Sequence, residues 1–574
     1  MKIKKIKITD FAIYTYIGLL SLIFLYRMFH GIDFYDEPYY FTGALQILRG
    51  QIPLVDIQSV HVFSQMLIIP LLWIYELITG GFEGIILFMR ISYFIFNVII
   101  LICSVKIMRK NSFFNDIVFY IMLPCIFYSS YSIVSLSYNS MSNTLNIFGI
   151  VLLVQAILSM QNKLYFAAGI VFGLSTICYP TLMVYDLLLI ILLTIYLKYY
   201  SVQKNTEGVL NLFLGGFVTL IIFLCLLFFI VGSFSDIFVG VNALLTSMNS
   251  SYKETITISN SLLRYVIKYS SLVVVMILSA LTIAALMFIN RKVIKKKMSL
   301  FFTVSFILIS IVFVFIIMLK PTSFYLIYYM VIFFLSILII IFVPNKNLKR
   351  MLVLIQILNV LYLVIRLFST ANNSVFAQFV YVSPFVIVLL TSIYLLDNNK
   401  KHLILCSLTI SSIMVFSYFM YVNEISVAGK PINQQVNRIE FGIYKGISID
   451  NNNYERLMKI QSFLSQFDLK KEKILILDTF SALYGIADGI PYTLDTYSSL
   501  YGIKENGEKL LEFYEENDEY PTIIIIGYAR DALKYDVNIE NDFNNFILNN
   551  YKKIGESIDE IDGDSFYLGL YQLN

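Results

Sequence analysis

The chain has 574 residues, 58% of them hydrophobic and 14% charged, and its mean hydropathy is +0.76. So much apolar surface excludes an ordinary soluble globule and points to a polytopic membrane protein. The formal net charge of +4 is dispersed as short Lys/Arg clusters between apolar runs, a pattern that does not suit nucleic acid.

Lys2, Lys4, Lys5 and Lys7 precede an apolar run over 9–29. The run is too long for a signal-peptide core, so it reads as an uncleaved first transmembrane helix. Further runs long enough to span fall near 84–106, 113–131, 139–159, 163–178, 180–199, 209–232, 269–289, 299–319, 323–343, 349–368, 376–396 and 402–422. One more candidate, 61–79, decides the topology. If it lies against the outer surface, the clusters around Lys106 to Lys110, Arg291 to Lys297, Lys346 to Arg350 and Lys400 to Lys401 share the side of the N-terminus. The bias of Lys and Arg towards the inner face favours that arrangement. The expectation is therefore an α-helical polytopic membrane protein of about thirteen spans, with the N-terminus inside. Loops 30–83 and 233–268 then lie outside.

Three acids, Asp33, Asp36 and Glu37, follow the first span at once, with aromatic residues around them. Carboxylates beside a membrane exit are either solvated helix caps or kept for function. After them, Phe41 to Arg49 reads as a short helix ended by Gly50, and Gln51 to Asp56 as an extended stretch around Pro53. Trp73 and Tyr75 suit a helix at headgroup level over 61–79. The polar segment 233–268 reads as a lid or a solvated connector.

The five cysteines, Cys103, Cys125, Cys178, Cys225 and Cys406, all lie in apolar runs and make neither a disulfide framework nor a zinc site. From about 424 the composition turns polar. Lys473 to Leu477 and Thr522 to Ile526 read as buried strands, Gly507 to Asn517 as a helix and Phe566 to Leu573 as a closing strand. The chain thus divides into a membrane domain, 1–423, and a small extracytoplasmic α/β domain, 424–574.

The first helix, the Asp36-Glu37 pair, the short helix ending in Arg49-Gly50, the extended stretch and His61 before an apolar helix together resemble the GT-C glycosyltransferases. The branch is that of the protein O-mannosyltransferases and aminoarabinose transferases. The resemblance spans about 9–200 by pattern and about 9–422 by topology. It implies a polyprenyl-phosphate sugar as donor and an envelope glycan, lipid or protein as acceptor, on the extracytoplasmic face. It implies Asp36 or Glu37 as catalytic base. It places His61, Arg90, Tyr138, Asn139, Lys320 and Tyr325 at substrate-binding positions. Tyr179, in Cys178-Tyr179-Pro180, stands where relatives carry a lysine. No cofactor is fixed by the resemblance, and a divalent cation stays open, since Asn139 retains a ligating oxygen.

Chemistry gives the same needs. A carboxylate must take the acceptor's proton, and cations must hold the leaving phosphate. Arg27, Arg90, Arg264, Lys268, Lys320 and Arg366 are the cations expected on the outer side. Two alternatives remain at this point: a transporter or flippase of lipid-linked glycans, and a GT-C relative without activity.

Overall fold

The computed structural model describes residues 8–108, 134–200, 206–252, 336–337, 340, 343, 345–369, 432–477, 480–496, 503–528, 541–561 and 564–574. In the first part these form helices α1 (Ile8–Met28), α2 (Asp36–Leu48), α3 (Val62–Thr79), α4 (Ile85–Met108), α5 (Tyr138–Ser159), α6 (Asn162–Cys178), α7 (Leu182–Tyr199), α8 (Thr206–Val231), α9 (Phe234–Tyr252) and α10 (Lys346–Phe368). Among the described residues, six helices are long and apolar enough to cross a membrane: α3, α4, α5, α7, α8 and α10. The expected spans at 113–131, 269–289, 299–319, 376–396 and 402–422, and nearly all of 323–343, lie outside the described residues.

The helices bury one side and leave the other apolar. On α4, Ile95, Ile99 and Ile102 are exposed; on α7, Met183, Leu187, Ile191 and Ile195 are. Such stripes, repeating every three to four residues, suit hydrocarbon rather than water. Helices α6 and α8 pack backbone to backbone. A Cβ on Gly169 would sit 2.0 Å from the Leu212 carbonyl oxygen, and one on Gly215 2.1 Å from that of Phe166. Only glycine permits this approach, a frequent device between membrane helices.

Two expectations about the loops need correction. The short helix after the acids begins at Asp36 rather than Phe41. Asp33 explains why: its carboxylate accepts the N–H groups of Tyr35 (2.9 Å) and Glu37 (3.0 Å), filling orphan donors of the first turn. Asp36 and Glu37 also suit the positive end of the helix, and Pro38 costs little there because no intrahelical bond needs its nitrogen. The segment after Ser233 is not simply a polar connector. It forms α9, whose Ile237 and Leu244 pack with Leu54 and Ile57 of the first loop and Phe223 and Leu227 of α8. The rest of the expected lid, 253–268, lies outside the described residues.

The C-terminal part is α/β. A short ladder pairs β1 (Asn437–Arg438) with β2 (Ser448–Ile449). A five-stranded sheet follows, from β3 (Lys473–Leu477), β4 (Ile490–Pro491), β5 (Ile523–Tyr528), β6 (Tyr551–Ile561) and β7 (Asp564–Leu573), in the order β4-β3-β5-β7-β6. The pairs β3–β4 and β3–β5 are parallel, and β5–β7 and β7–β6 antiparallel. The strand over 566–573 therefore lies inside the sheet, and β6 forms the edge. Helices α11 (Asn451–Leu464), α12 (Ala482–Ala487), α13 (Ile503–Asn517) and α14 (Asp542–Asn550) flank it. Side chains alternate strictly: Ile474 and Ile476 join one core, Leu475 and Leu477 another. Burial on both faces accounts for the unbroken apolar run of β3.

The first of those cores is continuous with the membrane part. Ile443, Ile447, Phe480 and Tyr484 share it with Met28, Phe34, Phe41 and Ile86. Backbone bonds stitch the two. Ser448 N donates to Phe29 O (2.7 Å), Gly31 N to Ser448 O (2.9 Å), Gln58 N to Leu494 O (2.8 Å) and Ile86 N to Ile443 O (3.1 Å). The sheet unit thus rests directly on the loop that carries the acids.

Candidate functional site

The turn from Asp33 to Tyr35 is gripped from the C-terminal part at every residue. Tyr444 Oη donates to Asp33 O (2.7 Å), Ala482 N to Phe34 O (3.1 Å) and Ser481 Oγ to Tyr35 O. The Phe34 ring stacks on Phe480 at 4.5 Å. The carboxyl of Asp33 is raised to about 8, first by burial and then by the charge of Asp36. The two backbone N–H bonds oppose that rise without cancelling it.

Glu37 and Arg90 form a buried pair, 2% and 3% exposed. Arg90 Nε donates to Glu37 Oε1 (2.7 Å) and Nη2 to Oε2 (2.6 Å). The remaining donors go to Met28 O (3.0 Å), His30 O (3.2 Å) and Gly31 O (2.9 Å), closing the end of α1. That occupies the five N–H groups a guanidinium has. Two expectations are corrected by this geometry. Arg90 has no donor left for a phosphate, and Glu37 has both oxygens committed, so neither is placed to meet substrate. Arg27 likewise turns inward, donating to His30 O.

Asp36 is half-buried. Helical spacing sets it on the same face as Tyr39 and Tyr40, one turn later. That face meets a set of aromatic rings. His61, at the start of α3, stacks on Tyr138 at 3.7 Å and lies edge-on to Tyr39 at 5.9 Å. Tyr138, at the start of α5, stacks in turn on Tyr179 at 5.5 Å and tilts against Tyr40 at 5.8 Å. Ser59 and Tyr39 share a 2.6 Å hydrogen bond that fixes the approach to His61. Burial, then the charge of Arg366, lowers the His61 pKa, so this imidazole is neutral at pH 7.

Arg366, in the last turn of α10, is fully buried. Its Nη1 donates to Ser142 Oγ (2.8 Å) and its Nη2 to Asn139 Oδ1. Its Cζ lies 4.0 Å from the centre of the Tyr179 ring. Asn139 and Ser142 thus hold the guanidinium by its edge and Tyr179 by its face. Tyr179 is itself held by its hydroxyl, which donates to Ser369 O (3.1 Å).

Of the expected site residues, His61, Tyr138, Asn139 and Arg366 thus come together where α3, α5 and α10 begin or end, and Asp36 lies on the face of α2 that carries Tyr39 and Tyr40. Arg264, Lys320 and Tyr325 lie outside the described residues. Tyr39, Tyr40, Ser142 and Tyr179 belong to the site and were not singled out as substrate contacts from the sequence. Their signal was the clustering of tyrosines at helix ends, which reads equally well as interfacial anchoring. Among the described residues no group of three His, Cys, Asp or Glu side chains is arranged to hold a metal ion. Set beside known proteins, this sequence matches no family model and no curated protein.

Proposed function

We propose that the chain is an integral-membrane glycosyltransferase of GT-C type, transferring a sugar from a polyprenyl-phosphate donor to an envelope glycan, lipid or protein. The observation that carries this reading is a buried arginine, Arg366, held against a wall of stacked rings that the Asp36-bearing face of α2 also meets through Tyr39 and Tyr40. Asp36 accepts the proton of the acceptor hydroxyl. The acceptor oxygen then bonds to the anomeric carbon as the bond from that carbon to the phosphate oxygen breaks. The polyprenyl phosphate leaves with the bonding pair and meets the Arg366 charge. The rings of His61, Tyr138 and Tyr179 offer flat apolar faces of the kind a sugar ring packs against. In this reading the chain crosses the cell membrane about thirteen times and works on the extracytoplasmic face of a bacterium.

The test is sugar transfer in membranes supplied with polyprenyl-phosphate sugars, wild type beside Asp36→Asn. Transfer by the wild type, lost in a folded Asp36→Asn chain, supports the assignment. An unconsumed donor in both removes it.

A second reading, a transporter of lipid-linked glycans, is favoured by one observation. Asn143, Asn146 and Asn359 are buried inside helices long enough to span. Movement of a labelled glycolipid between leaflets, without transfer, would select that reading.

A further inference from the structure

Helix α5 carries Asn139, Ser142, Asn143 and Asn146 at spacings of three and four residues, which puts them on one face. Helix α10 carries Asn359, Tyr362 and Arg366 in the same manner. Arg366 ties the two faces together through Ser142 and Asn139. Since α5 begins and α10 ends at that level, both run away from it on the same side. Asn146 and Asn359 each stand seven residues further along, about 10 Å deeper at helical rise.

Both asparagines are 1% exposed, and among the described residues neither amide oxygen nor amide nitrogen of either has a hydrogen-bond partner. The Oδ1 of Asn143 is in the same condition. The other side of α5 behaves differently. There Thr144 Oγ1 donates to Asn97 Oδ1 (2.9 Å), and Asn97 Nδ2 donates to Tyr93 O (2.9 Å). On α5, then, the Thr144 side has its polar atoms paired, whereas the row below Arg366 leaves them open. An open amide in a span is costly, because its desolvation goes unrepaid. Packing alone gives no reason to keep three of them.

We propose that Asn143, Asn146 and Asn359 line a neutral polar pocket, entered from the Arg366 site, that binds the hydroxyl groups of a saccharide and holds water in their place when empty. An amide presents both a donor and an acceptor, as a hydroxyl does, so each asparagine can meet a sugar hydroxyl in both senses. The three amides bring no charge, so the pocket suits a neutral polyol, and their polarity excludes an isoprenoid tail. The inference uses the Arg366 site as its entrance but needs no sugar transfer.

Cysteine labelling tests it on the full-length chain in vesicles. Asn146→Cys and Asn359→Cys are treated with a small hydrophilic methanethiosulfonate, with wild-type labelling as baseline, because Cys225 is exposed. Ile147→Cys, fully buried on a different face of α5, is the control. The probes are polyprenyl-phosphate mannose, polyprenyl-phosphate glucose, free mannose, free glucose and polyprenyl phosphate without sugar. Labelling at 146 and 359 but not 147, slowed about tenfold by a sugar-bearing probe and not by bare polyprenyl phosphate, is expected. Lipid-linked and free sugars tell the two sources of the hydroxyls apart. Absence of labelling above baseline means a dry row and overturns the pocket. Labelling that no sugar slows leaves water as sole occupant and overturns the saccharide. Thermal unfolding of the unaltered chain with the same probes covers variants that do not fold, and a shift with sugar-bearing probes alone is expected. Transfer activity without protection at 146 and 359 would sink the pocket while leaving the enzyme reading intact; protection in an Asp36→Asn chain keeps the pocket whatever the activity.

Discussion

Arg90 holds both carboxylate oxygens of Glu37 from a position 53 residues away in sequence, and the same guanidinium closes the carbonyl end of α1. The pair is a structural joint beneath the site. Removing one charge from such a pair leaves the other buried and uncompensated, at a cost of about 3–5 kcal/mol. Glu37→Gln is therefore expected to lower the thermal midpoint sharply, measured in detergent, while Asp36→Asn leaves it within a degree or two of wild type. Equal midpoints for Glu37→Gln and wild type would remove the joint.

Asp33 gives the fold a pH dependence. Its folded-state carboxyl is raised to about 8, whereas an unfolded aspartate ionises near its ordinary value of 3.8. Between those values the folded chain binds the extra proton, so this group's stabilising contribution is complete below about pH 4 and is lost as pH rises through about 8. Thermal midpoints of wild type should fall from pH 5 to pH 8 more steeply than those of Asp33→Asn. The variant keeps an acceptor oxygen for one of the two backbone N–H groups. Parallel curves would show that Asp33 is not protonated in the folded state.

The C-terminal part acts on the acids through backbone carbonyls. Tyr444→Phe removes the donor to Asp33 O and leaves a buried carbonyl short of a partner, a loss of about 1 kcal/mol. The effect expected on the Asp33 turn is local: faster hydrogen exchange at the Tyr35 and Glu37 amides, with the sheet strands unchanged. Uniform protection across both regions would mean that Tyr444 does not hold this turn.

Much of this arrangement was legible in the sequence, for definite reasons. Long apolar runs fixed α4 to α8 and α10 to within a few residues, because a span needs about twenty apolar residues and little else. The unbroken apolar run from Ile474 to Leu477 read as a buried strand, and β3 is indeed covered on both faces. Helix α9 was hidden because Ser, Asn and Asp interrupt the spacing of Phe234, Ile237, Phe238, Val241 and Leu244, which nonetheless recurs every three or four residues. The Glu37–Arg90 pair could not be read at all. An acid after one span and an arginine in another look the same whether they meet each other or a ligand. The docking of the sheet on the first loop rests largely on backbone bonds, such as Ser448 N to Phe29 O, which leave no side-chain signature. At Tyr179, where the resemblance led one to expect a lysine, the ring packs against a cation supplied by α10, Arg366.

The contact between Tyr179 and Arg366 gives the sharpest test of the site. Arg366 is held flat by Asn139 and Ser142 on its edge and by Tyr179 on its face. A lysine would keep the charge but neither the fork nor the stacking surface. Under the proposed function, Arg366→Lys should cut binding of polyprenyl phosphate by more than about tenfold, since a cation over a desolvated ring is worth about 2 kcal/mol. Tyr179→Phe keeps the ring and loses the hydroxyl, which donates to Ser369 O and accepts from Ser369 Oγ, so binding should fall by less than in a variant that removes the ring. Tyr179→Leu removes the ring and should behave like Arg366→Lys. Titration with fluorescent polyprenyl phosphate measures all three. The ordering Phe above Leu carries the claim, because a loss common to both would point to the hydroxyl, and no loss in either would take Tyr179 out of the site.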